Sequence, residues 1–191
     1  LSGSYNSAMV AKQMFETDFP QKKVHVFDSC SASVGETLIG IKIQELEKAG
    51  HTFEETVVQT GQYIEQQQTF FVLETLGTGR KNGRLSNLKA LVAGLLKIKP
   101  IMGSTPDGQI CQLAQAQGMN KALERMVKEV IDKTKDCEQK ILAISHCNCP
   151  KRAQKVRELI EQAAHFKEIL ILETAGVSSM YANNGGVIIA V

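Results

Sequence analysis

The residues best suited to chemistry lie in the run Gly77-Thr78-Gly79-Arg80-Lys81-Asn82-Gly83-Arg84-Leu85-Ser86. Three glycines let the backbone turn tightly and approach a ligand, and Arg80, Lys81 and Arg84 offer positive charge to an anion held there. A solvated turn with a charged rim explains the same composition, and on composition alone it is the better reading. The spacing Gly77-x-Gly79-x-x-x-Gly83 misses the dinucleotide pattern, and residues 98–103 carry no acid for a ribose hydroxyl. No Gly-Lys-Ser/Thr closes the run as a nucleotide-phosphate loop does. His146-Cys147-Asn148-Cys149 gathers three soft ligands at a strand end without a matching fourth, so no metal site is expected. No Gly-x-Ser-x-Gly elbow is present and none of the four histidines has a nameable acid partner, so no catalytic residue is assigned. Ser2 and Gly3 open a helix, where a hydroxyl and unpaired N–H groups suit a carboxylate or phosphate; an ordinary N-cap serine fits equally well.

The elements that must position these residues follow from periodicity. Residues 1–8 read as the loop and N-cap of a helix through Met9, Val10, Met14 and Phe15. The strand expected before such a turn is missing, so the chain reads as the later part of a longer protein. Val24-His25-Val26-Phe27-Asp28-Ser29 predicts a buried parallel strand opening into a loop. A helix over 33–49 follows, with Leu38, Ile39, Ile41, Ile43 and Leu46 on a wide apolar face and Gly50 as its stop. Thr52-Phe53-Glu54-Glu55 is a capping-box signal for the next helix. Residues 70–73 return as strand. Beyond the basic run, Leu88, Leu91, Val92, Leu95 and Leu96 fit a helix, and 98–102 fit a strand that Pro100 assigns to an edge or terminal position. Pro106-Asp107-Gly108 turns that strand into a hairpin with 109–113. Helix 120–133, strand 140–146, helix 151–165 opened by Pro150, strand 168–172 and a terminal strand 186–191 complete the chain. This alternation predicts an α/β fold with parallel sheet, and the change of rhythm near Gly77 predicts a second lobe. Ligands in such folds sit beyond the carboxyl ends of strands, which gathers Ser2, Asp28, Ser29, Arg80 and the segment Ala182-Asn183-Asn184-Gly185-Gly186 around one cleft.

Composition narrows the partners. With 191 residues, 43% of them apolar, the chain can bury a real core in one domain or two small ones. No apolar run approaches the roughly eighteen residues of a membrane span, and no signal peptide opens the sequence, which gives a cytoplasmic reading with no integral membrane segment. A net charge of +2, no Trp and three Tyr supply neither a basic face nor a stacking platform, so nucleic acid is not an expected partner. Five cysteines, an odd number, read as reduced thiols. No cofactor is expected.

With these residues assembled, the chain resembles the DegV family of bacterial proteins, whose members bind long-chain fatty acids. The resemblance rests on Leu1-Ser2-Gly3-Ser4-Tyr5-Asn6-Ser7-Ala8, Val26-Phe27-Asp28-Ser29, Phe71-Val72-Leu73-Glu74-Thr75-Leu76, Arg80-Lys81-Asn82-Gly83-Arg84-Leu85-Ser86, Ile98-Lys99-Pro100-Ile101, Ala143-Ile144-Ser145-His146 and the closing glycine-rich strand, and it covers essentially the whole chain. It implies a two-lobed α/β fold. Residues 1–76 would be the remainder of a first lobe with a mainly parallel sheet, its N-terminal strands lying outside the chain. Residues 77–191 would form a second lobe with a mixed sheet and a hairpin, the terminal strand returning to the interface.

The resemblance further implies a non-enzymatic fatty-acid carrier. The acyl chain would lie in the first lobe, with helix residues such as Leu38 and Ile39 and the 88–96 helix as wall candidates. Ser2 and Gly3 would hold the carboxylate, joined by a Thr-Ser segment outside this chain. Family members pass the acid to a fatty-acid kinase that phosphorylates the carboxyl group, and Arg80, Arg84 and Tyr181 are the implied mouth or partner contacts. Tyr181 stands where the family has a late histidine and Gln117 where it has an arginine, which removes one titratable group and one fixed charge. Two rivals remain: a regulatory interaction protein with a degenerate lipid pocket, and an enzyme acting on a small anionic substrate at the Arg80 loop.

Overall fold

Six strands hydrogen-bond into one sheet in the computed structural model, which describes residues 3–83, 85 and 97–191. In chain order the elements are α1 (Ser4–Asp18), α2 (Val34–Lys48), α3 (Phe53–Gln66), β1 (Thr69–Val72), α4 (Gly77–Lys81), β2 (Ile98–Ser104), β3 (Ile110–Gln117), α5 (Met119–Lys133), a 3-10 turn (Cys137–Gln139), β4 (Ile141–His146), α6 (Pro150–Ala163), β5 (Glu168–Glu173), α7 (Gly176–Ala182) and β6 (Val187–Ala190). The sheet order is β3-β2-β1-β6-β4-β5. Among the described residues only β4 and β5 run parallel; every other neighbouring pair is antiparallel. The parallel sheet expected from the alternating pattern is therefore replaced by a mixed one. The last strand, β6, inserts between β1 and β4 antiparallel to both, and the expected β2–β3 hairpin extends the sheet beyond β1.

Two helical layers cover the sheet. On one face α5 presents Leu123, Met126, Val127 and Val130, spaced three and four residues apart, and α6 presents Ala153, Val156 and Ile160; all pack against Phe70, Val72, Leu142, Ile144, Val187 and Ile189. Each large aliphatic or aromatic side chain so buried contributes about 1.5–3 kcal/mol. On the opposite face α2 lays Val34 and Leu38 on Ala143 and Ala190.

The start of α3 is set by local chemistry. Glu55 N donates to Thr52 Oγ1 (3.3 Å) and Thr52 N donates to Glu55 Oε2 (2.8 Å), the reciprocal box read from the sequence. The bond from Thr52 N foremost, and then one that the Thr52 hydroxyl donates to the same Oε2 (2.9 Å), hold the Glu55 carboxyl below its ordinary value. Thr52→Ala is expected to lower stability by about 1 kcal/mol in urea unfolding, and an unchanged midpoint would show that packing alone fixes this helix start.

Four local expectations need correction. Residues 24–29 join no ladder among the described residues, because no neighbouring strand stands beside them. Residues 77–81 of the basic run are a short helix, α4, rather than loop. Pro100 sits in β2, an interior strand, but β1 pairs only with Met102 and Gly103, so the missing N–H breaks no bond to that neighbour. Residues 176–182, left without an element, form α7. The helix expected over 88–96 lies outside the described residues.

Candidate functional site

The carboxyl end of β1 is anchored by a charge cluster. Lys99 Nζ donates to Glu74 Oε2 (2.6 Å) and to the Glu74 carbonyl (2.8 Å). Arg152 Nη2 donates to Glu74 Oε1 (2.6 Å), and its Nη1 donates to the Gly185 carbonyl (2.6 Å). One carboxylate thus joins β1, β2, the first turn of α6 and the loop entering β6. Partial burial would raise the Glu74 carboxyl, but the hydrogen bonds from Lys99 and Arg152 and their charges outweigh it and hold the group below its ordinary value.

Helices α4 and α7 meet beside this cluster. Thr78 Oγ1 donates to Asn183 Oδ1 (3.2 Å), and Asn82 Nδ2 donates to the Tyr181 hydroxyl oxygen (3.4 Å). Asn183 adopts φ +57° and ψ +164°, a strained conformation for a residue other than glycine, and its side chain also reaches back to the Thr75 carbonyl (3.5 Å). The corner carries exposed Arg80 and half-buried Tyr181 on adjacent short helices. A guanidinium and a phenol are each groups that can hydrogen-bond an oxyanion.

Of the other residues singled out, Gly3 is the exposed N-cap of α1 and makes no side-chain cap bond. Among the described residues it makes no hydrogen bond to α4 or α7. Ser2 and Arg84 lie outside the described residues. Asp28 Oδ1 accepts from Cys30 N (3.3 Å), a local turn. Further along, Ser31 Oγ and Thr69 Oγ1 are 3.2 Å apart, and Ser33 Oγ and the buried Ser145 Oγ are 3.1 Å apart. Ser33 is the N-cap of α2 with φ 57° and ψ −127°, a strained conformation held by its surroundings. These hydroxyl pairs, which seat α2 on the ends of β1 and β4, were invisible to pattern reading because Ser33 and Ser145 are 112 residues apart.

His146 is buried, and its Nδ1 accepts from Cys149 N (3.3 Å), so the ring caps a turn. Burial raises the Cys149 thiol, which disfavours a thiolate there.

Residues 1–191 match the family model described as "Uncharacterised protein, DegV family". The chain belongs to the DegV family. A DegV domain-containing protein of Streptococcus pneumoniae is 35% identical over 191 residues, covering 98% of this chain and 66% of that relative. A DegV protein of Ruminococcus gnavus, solved with vaccenic acid, is 53% identical with a TM-score of 0.96, covering all of this chain and 68% of its own. The S. pneumoniae fatty acid kinase B3 protein, loaded with linoleic acid, is 34% identical with a TM-score of 0.89, covering all of this chain and 67% of its own. This chain therefore spans about two thirds of the length of these DegV relatives.

In this DegV chain a cavity of about 320 Å³ opens at the opposite end of the sheet from the Tyr181 corner. Leu38, Ile41, Ile141 and Val191 form its apolar side and Lys42 and Lys140 part of its rim. Tyr63 also lines it, and burial pushes that phenol up. Among the described residues no helix is long and apolar enough to cross a membrane.

Proposed function

We propose that this DegV protein is a cytoplasmic, non-enzymatic carrier that holds a long-chain fatty acid and presents its carboxyl group to a fatty acid kinase. The observation that carries this reading is the likeness, at 53% identity over the whole chain, to the R. gnavus protein solved with vaccenic acid. The kinase step draws on the likeness to the kinase B3 protein of S. pneumoniae.

The physical logic is that each acyl methylene taken from water contributes about 0.8 kcal/mol, while a few polar groups fix the head. Ser2 and Gly3 supply those groups at the N-terminus of the fifteen-residue helix α1, where the macrodipole favours a carboxylate. Arg80, Arg84 and Tyr181 form the partner contact. The lobes divide near residue 77. Residues 1–76 belong to the acyl-binding lobe, with a mainly parallel sheet completed by chain of the kind the longer relatives possess. Residues 77–191 form the second lobe, to which β1 is lent and into whose sheet the terminal strand returns.

Mass spectrometry of lipid extracted from protein expressed from its natural reading frame tests the reading. Fatty acid is expected at close to one per chain; none, together with no uptake of added oleate, would overturn it. Ser2→Ala should weaken oleate binding by about 1–2 kcal/mol through a lost charge-assisted hydrogen bond, measured by calorimetry. Arg80→Ala should leave oleate affinity unchanged and slow phosphorylation of the bound acid by the kinase. Equal kinase rates would remove Arg80 from the partner face.

A further inference from the structure

Nothing in the carrier reading uses the cavity between α2, α3 and the start of β4. At about 320 Å³ it stands at the small end of the range of ligand pockets. Its floor is apolar, made by Leu38, Ile41, Ile141 and Val191, and Leu38 packs on Ala143 and Ala190 of the sheet. Its rim is charged. Lys42 from α2 and Lys140 ahead of β4 are half-buried there, and among the described residues neither ammonium group makes a hydrogen bond or an ion pair. Lys167 is engaged, since its Nζ donates to Glu45 Oε1 (3.0 Å) and ties α2 to the approach to β5. Asp136, held left-handed at φ +52°, lines the same cavity with no ion pair among the described residues.

A fourth group asks for a donor. Gln67 lines the cavity and spends its amide N–H on the Gly35 carbonyl (3.0 Å), which leaves its Oε1 buried with no hydrogen-bond partner among the described residues. Buried orphan acceptors are uncommon, and a small turn about the soft terminal torsion brings this one to the cavity. Two unengaged lysines beside apolar surface suit a carboxylate on an apolar body, while the free Asp136 carboxylate and the Gln67 carbonyl suit an ammonium on the same molecule. A long acyl chain does not meet these conditions, because Gln66, Gln67 and Gln139 interrupt the wall and no continuous apolar tube leads on from the floor. We propose that the cavity is a ligand site for a free α-amino acid with an apolar side chain. Its carboxylate lies between Lys42 and Lys140, its ammonium toward Asp136 and Gln67, and its side chain on the apolar floor. The site is separate from the acyl chain's and does not rest on the lipid reading.

Calorimetry and methyl NMR on protein expressed from its natural reading frame, titrated with leucine and with phenylalanine, test the site. A Kd of about 1 mM or tighter is expected for at least one of the two, with shifts of the Ile41 and Ile141 methyl resonances. Lys42→Gln combined with Lys140→Gln should weaken binding by about tenfold or more and leave the urea midpoint of the unliganded protein unchanged. Asp136→Asn keeps the left-handed turn, which asparagine tolerates. It should weaken leucine and leave isocaproate, the same molecule without the amino group, unaffected. No binding of either amino acid at about 10 mM would overturn the proposal, as would wild-type affinity in the double lysine variant. Binding that leaves the Ile41 and Ile141 methyls unmoved, or that saturating oleate abolishes, would overturn it too. Because the titration needs no lipid, failure here leaves the carrier reading standing, and failure of lipid extraction leaves the amino-acid site standing.

Discussion

Gly186→Ala lowers stability by about 3 kcal/mol, read as a fall in the urea midpoint, whereas Gly40→Ala raises it by about 0.5–1 kcal/mol. Both are glycine-to-alanine changes at single positions, and the surroundings set the opposite signs. A Cβ on Gly40, in the exposed middle of α2, meets nothing within 4 Å, so the added methyl only improves helix propensity. A Cβ on Gly186 would overlap the carbonyl oxygen of Ala182 and stand 2.9 Å from Leu73 Cδ2. The leucine methyl can swing aside, but the Ala182 carbonyl belongs to the last turn of α7. Relief therefore displaces α7 or the entry to β6, and that entry is pinned: Gly186 N donates to Asn183 O (3.1 Å), and its carbonyl accepts from Cys147 N (3.0 Å). A shift of α7 also pulls Tyr181 from Asn82 and Asn183 from Thr78. The substitution should thus loosen the candidate partner corner as it lowers the midpoint. An unchanged midpoint would mean that the α7–β6 turn is pliable, and the corner with it.

What the sequence could disclose divides along the range of the interactions. The Thr52/Glu55 box, the Pro150 start of α6, the Gly108 turn at φ +74° and the apolar stripe of α5 are each decided within a few residues, and each was legible. Strand direction and order were not. Nothing local in residues 187–190 says that they slot between β1 and β4, because that choice is made by Phe70 and Ile144 meeting Ile189 across the ladders. Helix α4 contradicts propensity, since Gly77 and Gly79 disfavour helix; the structure explains the second of them, as a Cβ there would come 2.9 Å from Leu85 Cδ1. Residues 24–27 failed differently. Their pattern is that of a strand, but a ladder needs a neighbour, and none is supplied by the described residues. For the site, Arg80 and Tyr181 were named from the resemblance and stand on helices that touch, whereas Glu74, the hub beneath that corner, lies in a segment that carries the resemblance but was given no role, because its partners Lys99 and Arg152 are distant in sequence.

That hub carries the second large effect. Glu74→Gln is expected to cost about 2 kcal/mol at pH 7 in urea unfolding, less than a fully buried pair because the three side chains keep 21–35% of their exposure, and more than a surface pair because two cations and two backbone carbonyls converge on one point. The amide keeps the shape and removes the charge, leaving Lys99 and Arg152 to repel one another. The dependence on pH follows from the lowered carboxyl. Because Glu74 ionises more readily in the folded chain than at its ordinary value of 4.5, its contribution is complete above that value and is lost as pH falls through the folded one. The gap between wild type and Glu74→Gln should therefore be full at neutral pH and shrink progressively once the solution is more acidic than 4.5. Wild type would lose stability over that window faster than the variant does. A gap that holds constant into strong acid would place the effect in packing rather than charge. In that case the convergence of β1, β2, α6 and the Gly185 loop would depend on the shape of the side chain at position 74, and the Arg80–Tyr181 corner would keep its geometry at any pH the sheet survives.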